Sequence, residues 1–446
     1  MKPSWRKYLS ARAPRYTSYP SALYFNEKVA ADDYAQALSR VKFYEPISIY
    51  VHVPFCRQLC WYCGCNMRVE NNYERAISYV DSLCDEIRLV SLALQGRGRP
   101  VSVHFGGGTP NFLETDELSR ILDAIENNFG LTDDTRLAIE IDPRQVRPGD
   151  ISRLADLGFA RVSLGVQDFD AEVQKAVNRV QSFELIESCV SAVREAGIED
   201  LSFDLLYGLP RQTLASFAET IAKTIALSPD RVSVFGYAHL PSALRGQRMI
   251  DSADLPDEIL RADLSERADA MLTAAGYGQI GFDHYAKPGN RLFAAACAGV
   301  LRRNFQGFTD DIATTMIGLG TSAISFAGGV YAQNAKTVKQ YAARLEEERL
   351  PTEKGLVRTP RDDAYARLIE DLLCRREANL AEAAEVLTKS EISHIKQSLG
   401  QFTKDQAVTI KDDTIRILPE ARELSRAIAA AFDPYAGTAP AFAKVV

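Results

Sequence analysis

The chain is 446 residues long, with 46% hydrophobic and 25% charged residues, enough length for two or three domains and enough apolar material for a sizeable core. Its 59 acidic residues outnumber 52 basic ones, leaving a net charge of −7, which removes any general electrostatic case for a nucleic-acid partner. No apolar run approaches the ~18 residues needed to cross a bilayer, and Met1-Lys-Pro-Ser-Trp-Arg-Lys7 lacks the apolar core of a secretion signal, so a cytoplasmic protein without a membrane partner is expected.

Residues 1–34 contain Pro14-Arg15-Tyr16-Thr17-Ser18-Tyr19-Pro20 and show neither helical nor strand period, the pattern of an amino-terminal arm. A first strand is predicted over 47–53. Four of the eight cysteines, Cys56, Cys60, Cys63 and Cys65, follow it within ten residues. A structural four-cysteine zinc site normally uses two Cys-x-x-Cys knuckles, and no second knuckle exists, because Cys84, Cys189, Cys297 and Cys374 stand singly. A disulfide lacks an oxidising compartment to form in. The spacing Cys56-x3-Cys60-x2-Cys63, with aromatic Tyr62 before the last cysteine, resembles the cluster loop of the radical S-adenosylmethionine (SAM) superfamily. In that superfamily three thiolates hold three irons of a 4Fe–4S cluster, and the fourth iron is left open for SAM; an open position is what separates a catalytic metal site from a closed one.

Further along, residues 73–94 read as an amphipathic helix with Ile77, Val80, Cys84, Ile87 and Ser91 on one face. Strands are predicted over 101–105, 137–141, 161–165, 201–205 and 231–235, alternating with helices, which implies right-handed βαβ units in a partial barrel or an open doubly wound sheet. Polar and glycine-rich segments collect beyond the strand ends: Gly106-Gly107-Gly108-Thr109, Asp142-Pro143, Gln167-Asp168 and Tyr207-Gly-Leu-Pro210. That edge is where ligands bind in such folds. Glu140 and Asp204 sit at strand ends, where a carboxylate can accept from ribose hydroxyls or ammonium groups or simply orient a loop. Arg179 can pair with a carboxylate or lie on a helix surface. Gly318-Leu-Gly320-Thr-Ser-Ala323 matches a dinucleotide fingerprint only formally, because no βαβ unit surrounds it. Cys84 and Cys189 fall on apolar stripes and read as packing residues, and His394 as a surface residue. After Leu350-Pro351 the pattern turns helical and ends in strands around Asp412-Asp413, so residues 35–350 are expected to form the body and 351–446 a mainly helical, winged-helix-like domain.

Together Cys56 to Cys65, Phe105-Gly-Gly-Gly-Thr-Pro-Asn111, Glu140-Ile-Asp-Pro-Arg144, Gly165-Val-Gln-Asp-Phe169, Asp204-Leu-Leu-Tyr-Gly-Leu-Pro210, Tyr237-Ala-His-Leu-Pro241 and Arg303-Asn-Phe-Gln-Gly-Phe-Thr309 are similar to the oxygen-independent coproporphyrinogen III oxidases of haem biosynthesis, from the arm to Phe442-Ala-Lys-Val-Val446. The resemblance implies a partial (β/α)6 barrel with one 4Fe–4S cluster on Cys56, Cys60 and Cys63, and two SAM molecules. The first would meet Tyr50, Gly107 and Glu140; the second Tyr62, Gly108, Thr109, Gln167, Arg179, Asp204, Ala238 and Ile324. Cys65 matches an extra cysteine that matters for activity without binding the cluster. It is typically phenylalanine in a related haem-chaperone branch, the main alternative beside a methyltransferase paralogue. The resemblance further implies a monomer, coproporphyrinogen III as substrate, a flavodoxin or ferredoxin as electron donor, and conversion of two propionates to vinyl groups by a 5′-deoxyadenosyl radical. Arg15, Arg302 and Arg303 are candidate holders of the remaining carboxylates, on bidentate geometry alone.

Overall fold

A computed structural model describes residues 2–436; Phe442–Val446, where the sequence resemblance ends, lie outside the described residues. All six expected strands form: β1 (Pro46–Val53), β2 (Arg99–Gly107), β3 (Arg136–Ile141), β4 (Phe159–Gln167), β5 (Asp200–Tyr207) and β6 (Arg231–Gly236). They pair in sequence order and in parallel. On the β6 side follow β7 (Gly278–Ile280) and β8 (His284–Ala286), and a hairpin of β9 (Arg302–Asn304) and β10 (Gly307–Thr309) stands apart. β11 (Thr315–Leu319) then returns to lie parallel beside β1, and β12 (Ile324–Ala327), β13 (Val330–Asn334) and β14 (Thr352–Val357) extend that edge antiparallel. The sheet has twelve strands in linear order and does not close, so the body is a partial (β/α)6 barrel.

The strands carry a two-residue alternation that places ligand chemistry on one face. Ile47, Ile49, Val51 and Val53 of β1 are fully buried. Ser48, Tyr50 and His52 alternate with them, as Ser102 and His104 alternate with Val103 and Phe105 on β2. Side-chain bonds run strand to strand on that polar face, His104 to Glu140 at 3.0 Å and Ser163 to Asp204 at 2.9 Å, and Ser48 bonds Asp311 of the loop before β11 at 2.6 Å. The apolar face packs on helices α2 (Glu74–Leu94), α3 (Thr115–Phe129) and their successors, the helix α1 (Ala31–Leu38) having opened the body. In α2 the buried stripe is Ala76, Val80, Leu83, Ile87 and Val90. Only Val80 and Ile87 of the expected face lie in it, with Ile77, Cys84 and Ser91 at its margin. The stripe also holds Glu86, whose carboxylate accepts from Gly320 N, Asn334 Nδ2 and Tyr341 OH, each at 2.6 Å. Burial pushes that carboxyl up to about 7.

α1 begins inside the segment expected to be an arm, and the arm is docked rather than free. Trp5, Leu9, Ala13, Tyr16 and Tyr19 are buried. The Trp5 indole donates to Asp405 O at 2.9 Å, and Tyr16 and Tyr19 both donate to Asp433 at 3.0 Å. Arg426 donates to the carbonyls of Ala13 (2.8 Å) and Pro14 (3.1 Å). The arm therefore joins the body to the carboxyl-terminal elements: α4 (Pro360–Arg375), α5 (Lys389–Ser398) and α6 (Ser425–Phe432), with the strands Glu377–Asn379, Val408–Lys411 and Thr414–Ile417 as a small antiparallel sheet. The hairpin turns at Asp412 and Asp413, both left-handed (φ 49° and 61°), as a tight two-residue turn requires. β14, just beyond Pro351, belongs to the large sheet.

Candidate active site

Val53 delivers the chain to the cysteine loop at the carboxyl edge of β1. The loop is held by backbone bonds: Arg68 N to Pro54 O at 2.8 Å, Glu70 N to Cys56 O at 3.0 Å, and Trp61 N to Val177 O at 2.9 Å. All three ligand candidates are free thiols that line one cavity with Cys65. Cys56 Sγ lies 3.2 Å from Thr109 Oγ1, and burial pushes its thiol up to about 12. Hydrogen bonding from Cys65, including its N–H at 3.4 Å, lowers the Cys63 thiol below its ordinary value. Cys60 Sγ is 3.5 Å from both Arg144 Nη2 and Arg179 Nη1, so two guanidiniums are set to balance thiolate charge. Among the described residues no three His, Cys, Asp or Glu side chains converge on one ion position. Thiols spread around one cavity suit one thiolate per iron of a multi-iron cluster, and three of them leave one iron open.

The glycine loop is glycine because the cysteine loop presses on it. Gly107 has φ +121°, and a Cβ there would lie 2.8 Å from the His52 ring and 2.9 Å from Val53 O. A Cβ on Gly108 would lie 2.9 Å from Phe55 O and 3.1 Å from Cys56 Sγ. Gly108 N donates to Val53 O at 2.8 Å, so the two loops form one unit.

Three strands combine to set the state of Glu140. Arg161 Nη2 lies 3.1 Å from His104 Nδ1, and His104 Nε2 lies 3.0 Å from Glu140 Oε1. A guanidinium only donates, so His104 accepts on Nδ1 and donates from Nε2 to the carboxylate. Burial pushes Glu140 up, but the His104 hydrogen bond and a Gly107 N–H outweigh it and hold the carboxyl below its ordinary range. Tyr50 stacks on His104 (6.0 Å, 16°). Asp204 behaves oppositely: burial and then the charge of Glu140 raise it, despite hydrogen bonds from Ser163 and Ser233. The cavity thus carries one carboxylate held ionised and one pushed towards its protonated form. Arg179 is buried, donates to Gly165 O and reaches Asp142 at 3.4 Å, not the helix-surface arginine of the bland reading.

Twelve of the fifteen site candidates line this cavity: Cys56, Cys60, Tyr62, Cys63, Cys65, Gly107, Gly108, Thr109, Glu140, Gln167, Arg179 and Asp204. Tyr50 stands behind it, beside Glu140 and His52. Ala238 follows β6, and Ile324 opens β12 with its carbonyl against Gly318, the register partner of Tyr50; neither lines the cavity. Sequence reasoning did not assign Arg144, Ser163 or Met67, which do line it. Arg144 had a signal, two residues past Asp142 in a segment that ends a strand, whereas Ser163 shows its role only across strands. The formal Gly318–Ala323 fingerprint forms a turn into antiparallel β12 and starts no helix.

The profile of the Radical SAM superfamily matches residues 50–224. Oxygen-independent coproporphyrinogen III oxidase of Escherichia coli is 40% identical over 427 residues, covering 95% of this chain and 93% of that protein. The chain belongs to the oxygen-independent coproporphyrinogen III oxidase family. The Bradyrhizobium diazoefficiens oxidase of the same name is 38% identical over 430 residues, covering 96% of each. The solved Escherichia coli coproporphyrinogen III oxidase, described as a radical SAM enzyme, superposes with a TM-score of 0.90 at 38% identity, over 94% of this chain and 97% of that one. Membership in this radical SAM family brings a 4Fe–4S cluster and SAM, and the thiols and carboxylates just described fit both.

Proposed function

We propose that the protein decarboxylates two propionate side chains of coproporphyrinogen III oxidatively and without oxygen, giving the vinyl groups of protoporphyrinogen IX. The observation that carries this reading is the shared cavity of three free thiols, the glycine loop and two carboxylates shifted in opposite directions, in a chain that follows the Escherichia coli oxidase at a TM-score of 0.90. Cys56, Cys60 and Cys63 hold the cluster. Bound there, the cluster would supply one-electron reduction of SAM to methionine and a carbon radical able to take a hydrogen from a propionate β-carbon.

The chain's own residues bind and aim. Glu140, held ionised by His104, accepts the ammonium group of one SAM next to Gly107 and Tyr50. Tyr62, Gly108, Thr109, Gln167, Arg179, Asp204, Ala238 and Ile324 form the side towards a second. Arg144 and Arg179 offset thiolate charge at Cys60. Cys65 takes part in catalysis beside the cluster without binding it. The amino-terminal arm and the carboxyl-terminal unit, as far as residue 436 and with β14 lent to the sheet, close over the body (35–350) and exclude water. The protein acts as a monomer in the cytoplasm and takes electrons from a flavodoxin or ferredoxin. Among the described residues no helix is long and apolar enough to cross a membrane.

Anaerobic incubation of the reconstituted protein with SAM, reductant and coproporphyrinogen III tests this. Vinyl products with CO2 release support it; haem binding without turnover, or a methylated product, refutes it.

A further inference from the structure

On the polar face of the barrel, away from the cysteine loop, three guanidiniums gather around one acid: buried Arg426, half-buried Arg303 and exposed Arg15. Asp204 is hydrogen-bonded by Ser233, whose register partner on β8 is His284, and His284 Nδ1 lies 2.6 Å from Asp283 Oδ1. Beyond Asp283 sit three guanidiniums. Arg303 rests over the faces of Phe308 (4.4 Å) and Phe282 (4.8 Å) and donates from Nε and Nη2 to Arg15 O (3.2 and 3.0 Å). Arg15 donates to Gly236 O at 3.1 Å. Arg426 is committed to the arm carbonyls of Ala13 and Pro14. Asp283 is the acid that acts on both Arg303 and Arg426, and it is already engaged by His284. Arg302 does not add to the surplus, because Glu370 neutralises it at 2.9 Å.

One donor in this group has nothing to bind: Arg303 Nη1 is buried and has no hydrogen-bond partner. A buried donor left unfilled on a half-buried guanidinium is costly unless an acceptor completes it. Arg303 also lines a cavity of about 120 Å³ with Tyr16, Thr17, Ser18, Asn304 and the Arg302–Glu370 pair, whose carboxylate is occupied by Arg302 Nε and by the Arg303 N–H at 3.1 Å. That volume is well below the several hundred Å³ of a whole-ligand pocket; it has room for an acidic tail.

We propose that Arg303, seated between the aromatic rings and backed by Arg15, is the subsite for one carboxylate of the substrate that does not react, and so sets which carboxylate faces the cysteine loop. The arm takes part directly, since the carbonyl of Arg15 orients the Arg303 fork so that Nη1 is the end left free. This rests on the function proposed above and narrows it to a polycarboxylate held at two points.

The test is equilibrium binding, anaerobic and without reductant, of coproporphyrinogen III and its tetramethyl ester to the reconstituted protein. The wild type is expected to prefer the acid about 10- to 100-fold, the value of a hydrogen bond to a charged group. R303Q is expected to lose most of that preference while keeping its SAM affinity, R303K to recover part of it, and R15Q to lose part. An R303Q protein that keeps the full preference overturns the subsite and leaves the functional reading standing. A wild type that binds acid and ester equally also overturns the subsite, with no variant needed. A wild type that binds neither overturns the functional reading as well.

Discussion

Replacing His104 by phenylalanine separates the orienting role of this ring from its packing. Phenylalanine keeps a ring to stack on Tyr50 at 6.0 Å but removes the donor 3.0 Å from Glu140 Oε1 and the acceptor 3.1 Å from Arg161. The lost bond is to an ionised carboxylate whose side chain is 43% exposed, so solvent screening holds its worth to about 1 kcal/mol. Without it, burial, already the largest influence on Glu140, acts with less opposition and raises the carboxyl. In the wild type Glu140 lies below its ordinary range and stays ionised through neutral pH, so SAM affinity should be level from about pH 5 to 7, below the range in which an α-amino group such as that of SAM loses its proton. In H104F affinity should fall about 5-fold, most at the acid end, and approach the wild-type value as the pH rises. Calorimetric or filter-binding titration of SAM against the anaerobically reconstituted proteins reads this directly. Wild-type affinity in H104F at every pH, or a loss of equal size across the range, would refute the coupling of His104 to the charge of Glu140.

Three other outcomes are expected. Glu86 is raised from 4.5 to about 7, so its contribution to stability is present below its unfolded value and lost as pH rises through about 7. Denaturant unfolding should show the wild type losing about 3 kcal/mol relative to E86Q between pH 5 and 8, and parallel curves would contradict it. Replacing Cys56, Cys60 or Cys63 singly by alanine should abolish iron and sulfide retention, whereas Cys65→Ala should retain both; equal retention in all four would overturn the ligand assignment. Trp5→Ala removes a side chain only 1% exposed, a loss of about 3–5 kcal/mol, and should speed trypsin cleavage after the exposed Arg12 and Arg15 by releasing the arm, without changing iron content. An arm as protected as in the wild type would show that Trp5 does not hold it.

The six parallel strands were legible because each is a short apolar run closed by glycine, proline or a carboxylate, and the cysteine loop because three thiols at fixed spacing have few uses. What the runs concealed was their alternation. Ser48, Tyr50 and His52 between isoleucines and valines look like interruptions until the sheet curves and puts them on one lining with His104, Glu140 and Arg161. The α2 stripe was read about one residue off because Glu86 looks like a solvent residue; its partners Gly320, Asn334 and Tyr341 lie more than 230 positions away. Local pattern carries no trace of such a pairing. The same holds for Arg303 and Arg426, whose partners are carbonyls of the arm. Ala238 and Ile324 were nameable only from the resemblance, since nothing in their side chains marks a ligand.

The central claim is that a radical generated at the cysteine loop takes hydrogen from a propionate β-carbon. Coproporphyrinogen III deuterated at those carbons, incubated anaerobically with the reconstituted protein, SAM and reductant, tests it in one measurement. Deuterium in 5′-deoxyadenosine together with CO2 and a vinyl product is the expected result. Unlabelled 5′-deoxyadenosine with all four propionates intact would contradict it.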